Sequence, residues 1–365
     1  MKVPLVDLKR QYVQIQSEIA TAIQQVITDT AFVLGKYTEQ FEVEFARYCQ
    51  VQHCVGLNSG SDGLLLAYIA CGVKAGDEVI TVAHTFFATT EPLAHLGATP
   101  VFVDIDPTTY LIDPEKIEAA ITPKTKVIVP VHLYGQMADM TNIMAIARKY
   151  NLKVIEDCAQ AHGATHQGQK AGTFGDIGIY SFYPGKNLGA YGDAGCIVTN
   201  NSEYAQLVRK LRDHGRSSKY EYDIAGYSSR MDGLQAAILS TKLKYLEKWN
   251  KARRKAAAHY NELLPEEIKK PVETKNNRHV YHLYVIEVAN RNRVLSYLTE
   301  NGVEAGIHYP IPLHLQPPYS ASVMSHTSLP RTEAAAKNIL SLPLFPEITD
   351  EELQYIVRQV KTAIK

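Results

Sequence analysis

The rhythm of apolar and polar positions changes twice along the chain. Across residues 11–27, Tyr12, Ile15, Ile19, Ile23 and Val26 recur every three or four positions, which predicts a helix. From there to about residue 215 short β-branched runs take over, at 78–82, 99–104, 126–131, 153–157, 177–181 and 195–199, with a further strand-like piece at 54–57. They alternate with helical patterns, clearest at 113–121, 140–150 and 202–212. Several runs are apolar throughout, as strands are when a mostly parallel sheet is covered on both faces. Residues 232–264 read as one long helix or two in tandem, stopped by Pro265. The texture then differs: a strand at 280–288, a helix at 291–301, the proline-rich YPIPLHLQPPY and two terminal helices. These patterns predict an α/β protein with a large domain over residues 1–250 and a smaller C-terminal α+β domain over 251–365.

Composition narrows the partners. The 365 residues exceed what one core fills, in keeping with two domains. Lys plus Arg is 38 and Asp plus Glu is 38, with no block of either sign, so neither a nucleic acid nor a membrane surface is expected as partner. The absence of net charge also leaves little self-repulsion to oppose self-association. The five cysteines are odd in number and lack C-x-x-C spacing, which speaks against a disulfide framework or a zinc site. The opening MKVPLVDLKRQY has no long apolar stretch, and the longest apolar run, 64–73, is interrupted by Gly72. No signal peptide or membrane span is expected, and a cytoplasmic location is.

In an open α/β sheet, ligands bind at the carboxyl ends of the strands. One lysine, Lys186, stands there in YSFYPGKNLGAYGDAG, amid small, aromatic and glycine residues. It is a surface lysine, a phosphate-loop lysine, or an amine kept partly neutral for Schiff-base chemistry. The phosphate loop fails, because Asn187 replaces the required Ser or Thr and Ser181 the first glycine. Asp157 closes another strand, with Gln160 three residues on; it is either a cap or the partner of a heterocyclic nitrogen. Gly60 and Ser61, in GLNSGSDGLLLAY, open a helix whose N-terminus can seat a phosphate, although any capped helix looks similar. Ser181 offers a second phosphate contact, and Phe86 either packs in the core or stacks on a flat ring. A phosphate seat, a stacking face, an acid and an amine at the strand ends of one sheet are what pyridoxal phosphate requires.

The chain resembles the DegT–DnrJ–StrS family of nucleotide-sugar aminotransferases, on the fold-type I scaffold of pyridoxal-phosphate enzymes. The likeness runs from PLVDLKRQY through NSGSDGLLLA, GDEVITVAHTF, VIEDCAQAHGA, SFYPGKNLGAYGDAG and GYSSRMDGLQAAIL to IHYPIPLHLQPPY. The resemblance implies a Schiff base on Lys186, Asp157 at the pyridine nitrogen and Gln160 near the phenolic oxygen. It implies that Gly60, Ser61 and Ser181 hold the phosphate and that Phe86 stacks on the ring. It further implies homodimers whose sites each borrow the GYSSRMD loop of the partner. Ser228 stands there as the cofactor-phosphate contact in place of the family's usual Asn, with a shorter side chain.

The implied reaction moves an amino group from glutamate to a keto-hexose linked to a nucleotide diphosphate. The blocks IHYPIPLHLQPPY and SFYPGKNLGAYGDAG resemble the subgroup acting at C3, on a 3-keto-6-deoxyhexose or a 3-keto-hexuronate. Arg230 either binds a carboxylate or makes a structural ion pair. His308 and Tyr309 are sugar contacts by the same resemblance, whereas His162 and His214 are read as structural. Four alternatives carry weight, one of them a racemase or lyase on the same scaffold, which only the family-specific blocks exclude. A sugar dehydratase of the family has histidine where Lys186 stands, a dehydrogenase needs a glycine fingerprint absent here, and a regulatory member would keep the fold without catalysis.

Overall fold

The computed structural model describes residues 1–320 and 328–365. Helix α1 (Leu8–Thr28) begins where Asp7 accepts a hydrogen bond from the Arg10 N–H, and it buries Gln11, Ile15, Ile19 and Val26. Helix α2 (Lys36–Cys49) goes beyond the sequence expectation. Its inner face mixes Phe41 and Phe45 with the buried polar Thr38 and Glu42, so the apolar stripe is broken. Glu42 is tolerated there because it accepts from the Arg212 guanidinium at 2.5 Å and the Gly56 N–H at 2.9 Å.

Strand β1 (His53–Leu57) leads into α3 (Gly60–Ala70), and β2 (Glu78–Val82) into the short α4 (Glu91–Leu96). Next come β3 (Thr99–Val103), β4 (Thr125–Ile128), α5 (Met140–Tyr150) and β5 (Lys153–Asp157). The small hairpin β6 (Thr165–His166) and β7 (Gln169–Lys170) precedes β8 (Ile177–Ser181), β9 (Gly195–Thr199) and α6 (Ser202–Leu211). One sheet takes seven of these strands in the order β1-β9-β8-β5-β4-β2-β3, parallel except where β9 meets β1 and β8. Its strands are apolar on both faces because helices cover both. Even α3, buried along Leu64, Leu66, Ala67 and Tyr68, is apolar nearly all round.

The remaining elements are α7 (Gly233–Leu243), α8 (Leu246–Leu263), β10 (Asn277–Arg278), β11 (Tyr284–Glu287), α9 (Arg291–Glu300), α10 (Pro317–Ser320), α11 (Pro330–Asn338), β12 (Ile339–Leu342) and α12 (Asp350–Ala363). A second core gathers Tyr260, Tyr284, Val294, Leu298, Phe345 and Val360 around the antiparallel pair β11–β12. Val3 joins it and bridges Val303, so the N-terminal segment crosses to the C-terminal part of the chain. Residue 250, the expected division, falls inside α8, whose Leu246 packs in the first core and Ala256 in the second.

Two sequence expectations change and one open alternative is decided. The helix over 113–121 is two 3₁₀ turns, Pro114–Lys116 and Glu118–Ala120, since Ile117 is the one deeply buried anchor between them. Of the two readings of 232–264, one long helix or two in tandem, the tandem holds: α7 and α8 part at Lys244 and Tyr245. The strand over 280–288 shortens to Tyr284–Glu287, and its partner β12 arises inside a region expected to be helical.

Candidate active site

Strand β8 ends at Ser181, and the chain turns back through residues 182–194 to β9. The turn is closed by Phe182 N–H to Ala194 O and Ala190 N–H to Phe182 O. A side chain at Gly189 would sit 2.3 Å from the Pro184 carbonyl, so this tight return needs glycine. Lys186 rides on the turn, its N–H donating to Tyr183 O at 2.9 Å. The side chain projects into a cavity of about 630 Å³. Protein packed around the amine lowers it from the ordinary lysine range to about 8, against the opposing pull of the Asp157 carboxylate.

Asp157 is fixed at the end of β5 by its own backbone, with N–H to Pro130 O and carbonyl accepting from His132 N–H, both at 3.0 Å. Its side chain is buried; Oδ1 accepts from Ala159 N–H at 3.1 Å and Oδ2 from the Thr89 hydroxyl at 2.9 Å. Gln160 Oε1 accepts from Tyr134 N–H at 2.6 Å, leaving Nε2 to face Tyr309 OH at 3.3 Å. The amide is thus anchored by its oxygen and presents its donor to the cleft.

Across the cleft, Ser59 caps α3 by accepting from Asp62 N–H at 3.0 Å. The first N–H groups of a helix have no partner within it and point outward, which suits an anion. A side chain on Gly60 would lie 2.7 Å from Ser181 Cβ, so glycine lets α3 and the end of β8 close together. Phe86 is 57% exposed, which rules out core packing; its ring lies 5.8 Å from that of Tyr309. His308 bonds Ser341 Oγ at 2.9 Å and is pushed down to about 4 by burial and by the Lys186 charge.

Of the residues singled out in the sequence, Gly60, Ser61, Phe86, Asp157, Gln160, Ser181, Lys186, His308 and Tyr309 all line this cavity. Ser228 and Arg230 do not. Their loop is tied to β1 through Asn58 N–H to Ser229 O, while Arg230 pairs with Asp213 at 2.7 Å and donates to Ser228 Oγ at 2.9 Å. His162 is buried between Tyr180 and Phe182, and burial followed by the Lys186 charge lowers it to about 3. His214 has a positive φ of 63° and serves the backbone, donating its N–H to Tyr227 O.

Sequence reading missed several lining residues: Ser59, Thr85, Thr89, Tyr183, His282 and Arg253. Thr85 carried a usable signal, since it adjoins Phe86 just after a strand end. His282 and Arg253 come from distant segments and gave none. The buried trio His132, Glu156 and Cys158 has metal-ligand chemistry, but Glu156 is fully engaged by His132 and the N–H groups of Gly172, Phe174 and Gly175. It is a staple behind the site.

The sequence profile of the DegT/DnrJ/EryC1/StrS aminotransferase family matches residues 13–361. The pleiotropic regulatory protein of Geobacillus stearothermophilus is 48% identical over 364 residues, covering 99% of this chain and 98% of its own. The UDP-N-acetyl-3-dehydro-alpha-D-glucosamine 3-aminotransferase of Acidithiobacillus ferrooxidans is 43% identical over 363 residues, covering 99% and 98%. Among solved structures, Streptomyces venezuelae DesV in complex with a ketimine intermediate superposes with a TM-score of 0.97 at 39% identity, covering 100% of this chain and 99% of that one.

Proposed function

The chain belongs to the DegT/DnrJ/EryC1/StrS aminotransferase family, and from that membership we propose that it aminates C3 of a nucleotide-linked keto-hexose, with glutamate as donor. The family's cofactor is pyridoxal phosphate, and the residues present fit it. Gly60 and Ser61 at the α3 N-terminus line the cavity beside Ser181, where a phosphate would sit, Phe86 offers an open ring face, and an acid and an amine line the same cavity. The observation that carries the reading is the Lys186 amine, brought to about 8 by burial in a cleft it shares with Asp157.

Bound there, pyridoxal phosphate supplies an electron sink for a carbon that loses a proton. Lys186 would hold it through Nζ, with Gly60, Ser61 and Ser181 at the phosphate. Asp157 would keep the ring nitrogen protonated, and Gln160 Nε2 would donate to the phenolic oxygen. Lys186 Nζ would act as base at the donor's α-carbon in the first half of the reaction and as acid at the sugar carbon in the second. A partly neutral amine suits both tasks. His308, neutral above about pH 4, and Tyr309 would meet the sugar as hydrogen-bonding groups.

Completing the site needs a second copy. Ser228 and Arg230 do not line their own cleft, and Phe32, Val33 and Tyr227 leave exposed apolar surface beside that loop. We place the enzyme as a homodimer in the cytoplasm, consistent with five unpaired cysteines. Among the described residues no helix is long and apolar enough to cross a membrane. A regulatory role, suggested by the name of one relative, gives no reason for a buried amine lining the same cavity as a carboxylate.

The test is to incubate purified enzyme with glutamate and either a 3-keto or a 4-keto nucleotide sugar, reading products by mass. Amination of the 3-keto compound is expected. Amination of the 4-keto compound alone overturns C3 and keeps the aminotransferase; no amination of either sinks both.

A further inference from the structure

Asp157 is held from behind by a pair of hydroxyls, and chemistry fixes the direction of their hydrogen bonds. The carboxylate has no proton to give, so Thr89 Oγ donates to Oδ2 at 2.9 Å. That uses the only hydrogen of the Thr89 hydroxyl. The 2.9 Å contact between Thr85 Oγ and Thr89 Oγ must then run the other way, with Thr85 as donor. Thr85, Thr89 and Asp157 are 2%, 1% and 5% exposed, so these hydroxyls exchange little with bulk water. Thr89 also belongs to the 3₁₀ turn that starts at Phe86, closed by Thr89 N–H to Phe86 O at 3.2 Å. Tyr68 OH holds the Thr89 carbonyl at 2.7 Å and pins the turn from beneath.

We propose that Thr89, oriented by Thr85, is a positioning residue that sets the rotation of the Asp157 carboxylate beneath the cofactor ring. The inference rests on the reading of Asp157 as the partner of the ring nitrogen. An aspartate carboxyl turns about a broad terminal torsion. Here Ala159 N–H takes one oxygen and Thr89 the other, so rotation is stopped and the remaining lone pairs have fixed directions. Phe86 and Thr89 share one turn, which makes the stacking face and the carboxylate's support a single rigid unit. Such support acts on charge that develops during turnover, so its loss is felt in kcat before KM.

The test compares full-length Thr89→Val, Thr89→Ser, Thr85→Val and Asp157→Ala with the parent enzyme. Steady-state kinetics are read beside the visible absorbance of bound cofactor and the dissociation constant for pyridoxal phosphate added to apoenzyme. Thr89→Val keeps the shape and loses the donor. Its kcat should fall about ten- to a hundredfold with KM little changed, the range for a hydrogen bond to a charged group. Its cofactor band should shift and its cofactor affinity weaken. Thr89→Ser should recover most of the loss, and Thr85→Val should show the same signature more weakly. A parent-like kcat and spectrum in Thr89→Val, with Asp157→Ala impaired, overturns the positioning role and leaves the proposed function standing. A loss that serine does not rescue assigns the effect to packing and overturns the role equally. An unimpaired Asp157→Ala overturns the reading of Asp157 itself. Should Thr89→Val fail to fold, Thr85→Val decides, and parent-like behaviour there overturns the relay.

Discussion

The floor and the rim of the cleft are built differently. At the floor, Asp157 has both carboxylate oxygens engaged and Gln160 has its amide oxygen anchored, all by groups of the same chain. At the rim, Phe86 and Tyr183 are 57% and 61% exposed, and Arg230 turns to Asp213. The floor's geometry is set before any ligand arrives, which is what stabilising a transition state requires. The rim awaits company. Arg230 and Asp213 are partly exposed, and such a pair is worth about 0–1 kcal/mol, little enough to be exchanged for a better partner. The floor is therefore preorganised within one chain, whereas Ser228 and Arg230, the residues proposed to serve a neighbouring site, are held by contacts that can be exchanged.

The strongest way to break this contrast is at the floor. Lys186→Ala should lower turnover at least about 10³-fold, because it removes the group that moves the proton in both halves of the reaction. Borohydride reduction of the parent should trap the cofactor's mass on the peptide carrying Lys186, and nothing should be trapped on the variant. Trapping at another lysine would falsify the assignment.

The second test addresses the rim. If Arg230 serves the neighbouring site, Lys186→Ala and Arg230→Ala subunits should complement one another when mixed. Each mixed dimer then has one site with both native residues and one with neither. Random exchange in equal amounts should restore about a quarter of the sites, given two-fold symmetry. Activity that stays at the level of the two parents after verified subunit exchange removes the shared site.

What could be read from sequence divides along the same line. Strand ends and the residues on them were legible, because Ile177–Ser181 is largely apolar, Lys153–Asp157 centres on the β-branched Val154 and Ile155, and each ends in a chemically distinctive residue. The resemblance then supplied roles that spacing alone leaves open for Asp157 and Phe86. Helix α2 was hidden by Glu42, a buried acid whose partner Arg212 lies 170 residues away. Thr89 was equally invisible as a support, since its hydroxyl meets an aspartate 68 residues on. Patterns report what a residue does to its neighbours in sequence; a contact made through the fold leaves no periodic trace.

A third test needs no mutation. With Lys186 brought to about 8 by burial, most of the amine is protonated at pH 6 and cannot accept a proton. Turnover should rise about tenfold from pH 6 to 7 and level off above about 8, as one deprotonation requires. His308, lowered to about 4 by burial and the Lys186 charge, stays neutral across this range and adds no second limb. A profile of kcat from pH 6 to 10 that is flat on its acid side would show that Lys186 does not set the rate.

The smallest effect is expected at Ser228, where this chain departs from the family's usual Asn. The serine hydroxyl is shorter than the carboxamide and here accepts from Arg230 at 2.9 Å. If the loop reaches the neighbour's phosphate, Ser228→Asn should add one hydrogen bond to a charged group. A net gain of about 1 kcal/mol corresponds to roughly fivefold tighter cofactor binding. Because the phosphate lies away from the reacting carbon, the gain should appear in the dissociation constant of pyridoxal phosphate and leave kcat near the parent value. The Asp157 floor is unaffected by this change, so any large fall in kcat would mean that rim and floor are coupled. An unchanged dissociation constant would mean that residue 228 does not touch the phosphate, and the loop's contribution would then rest on Arg230.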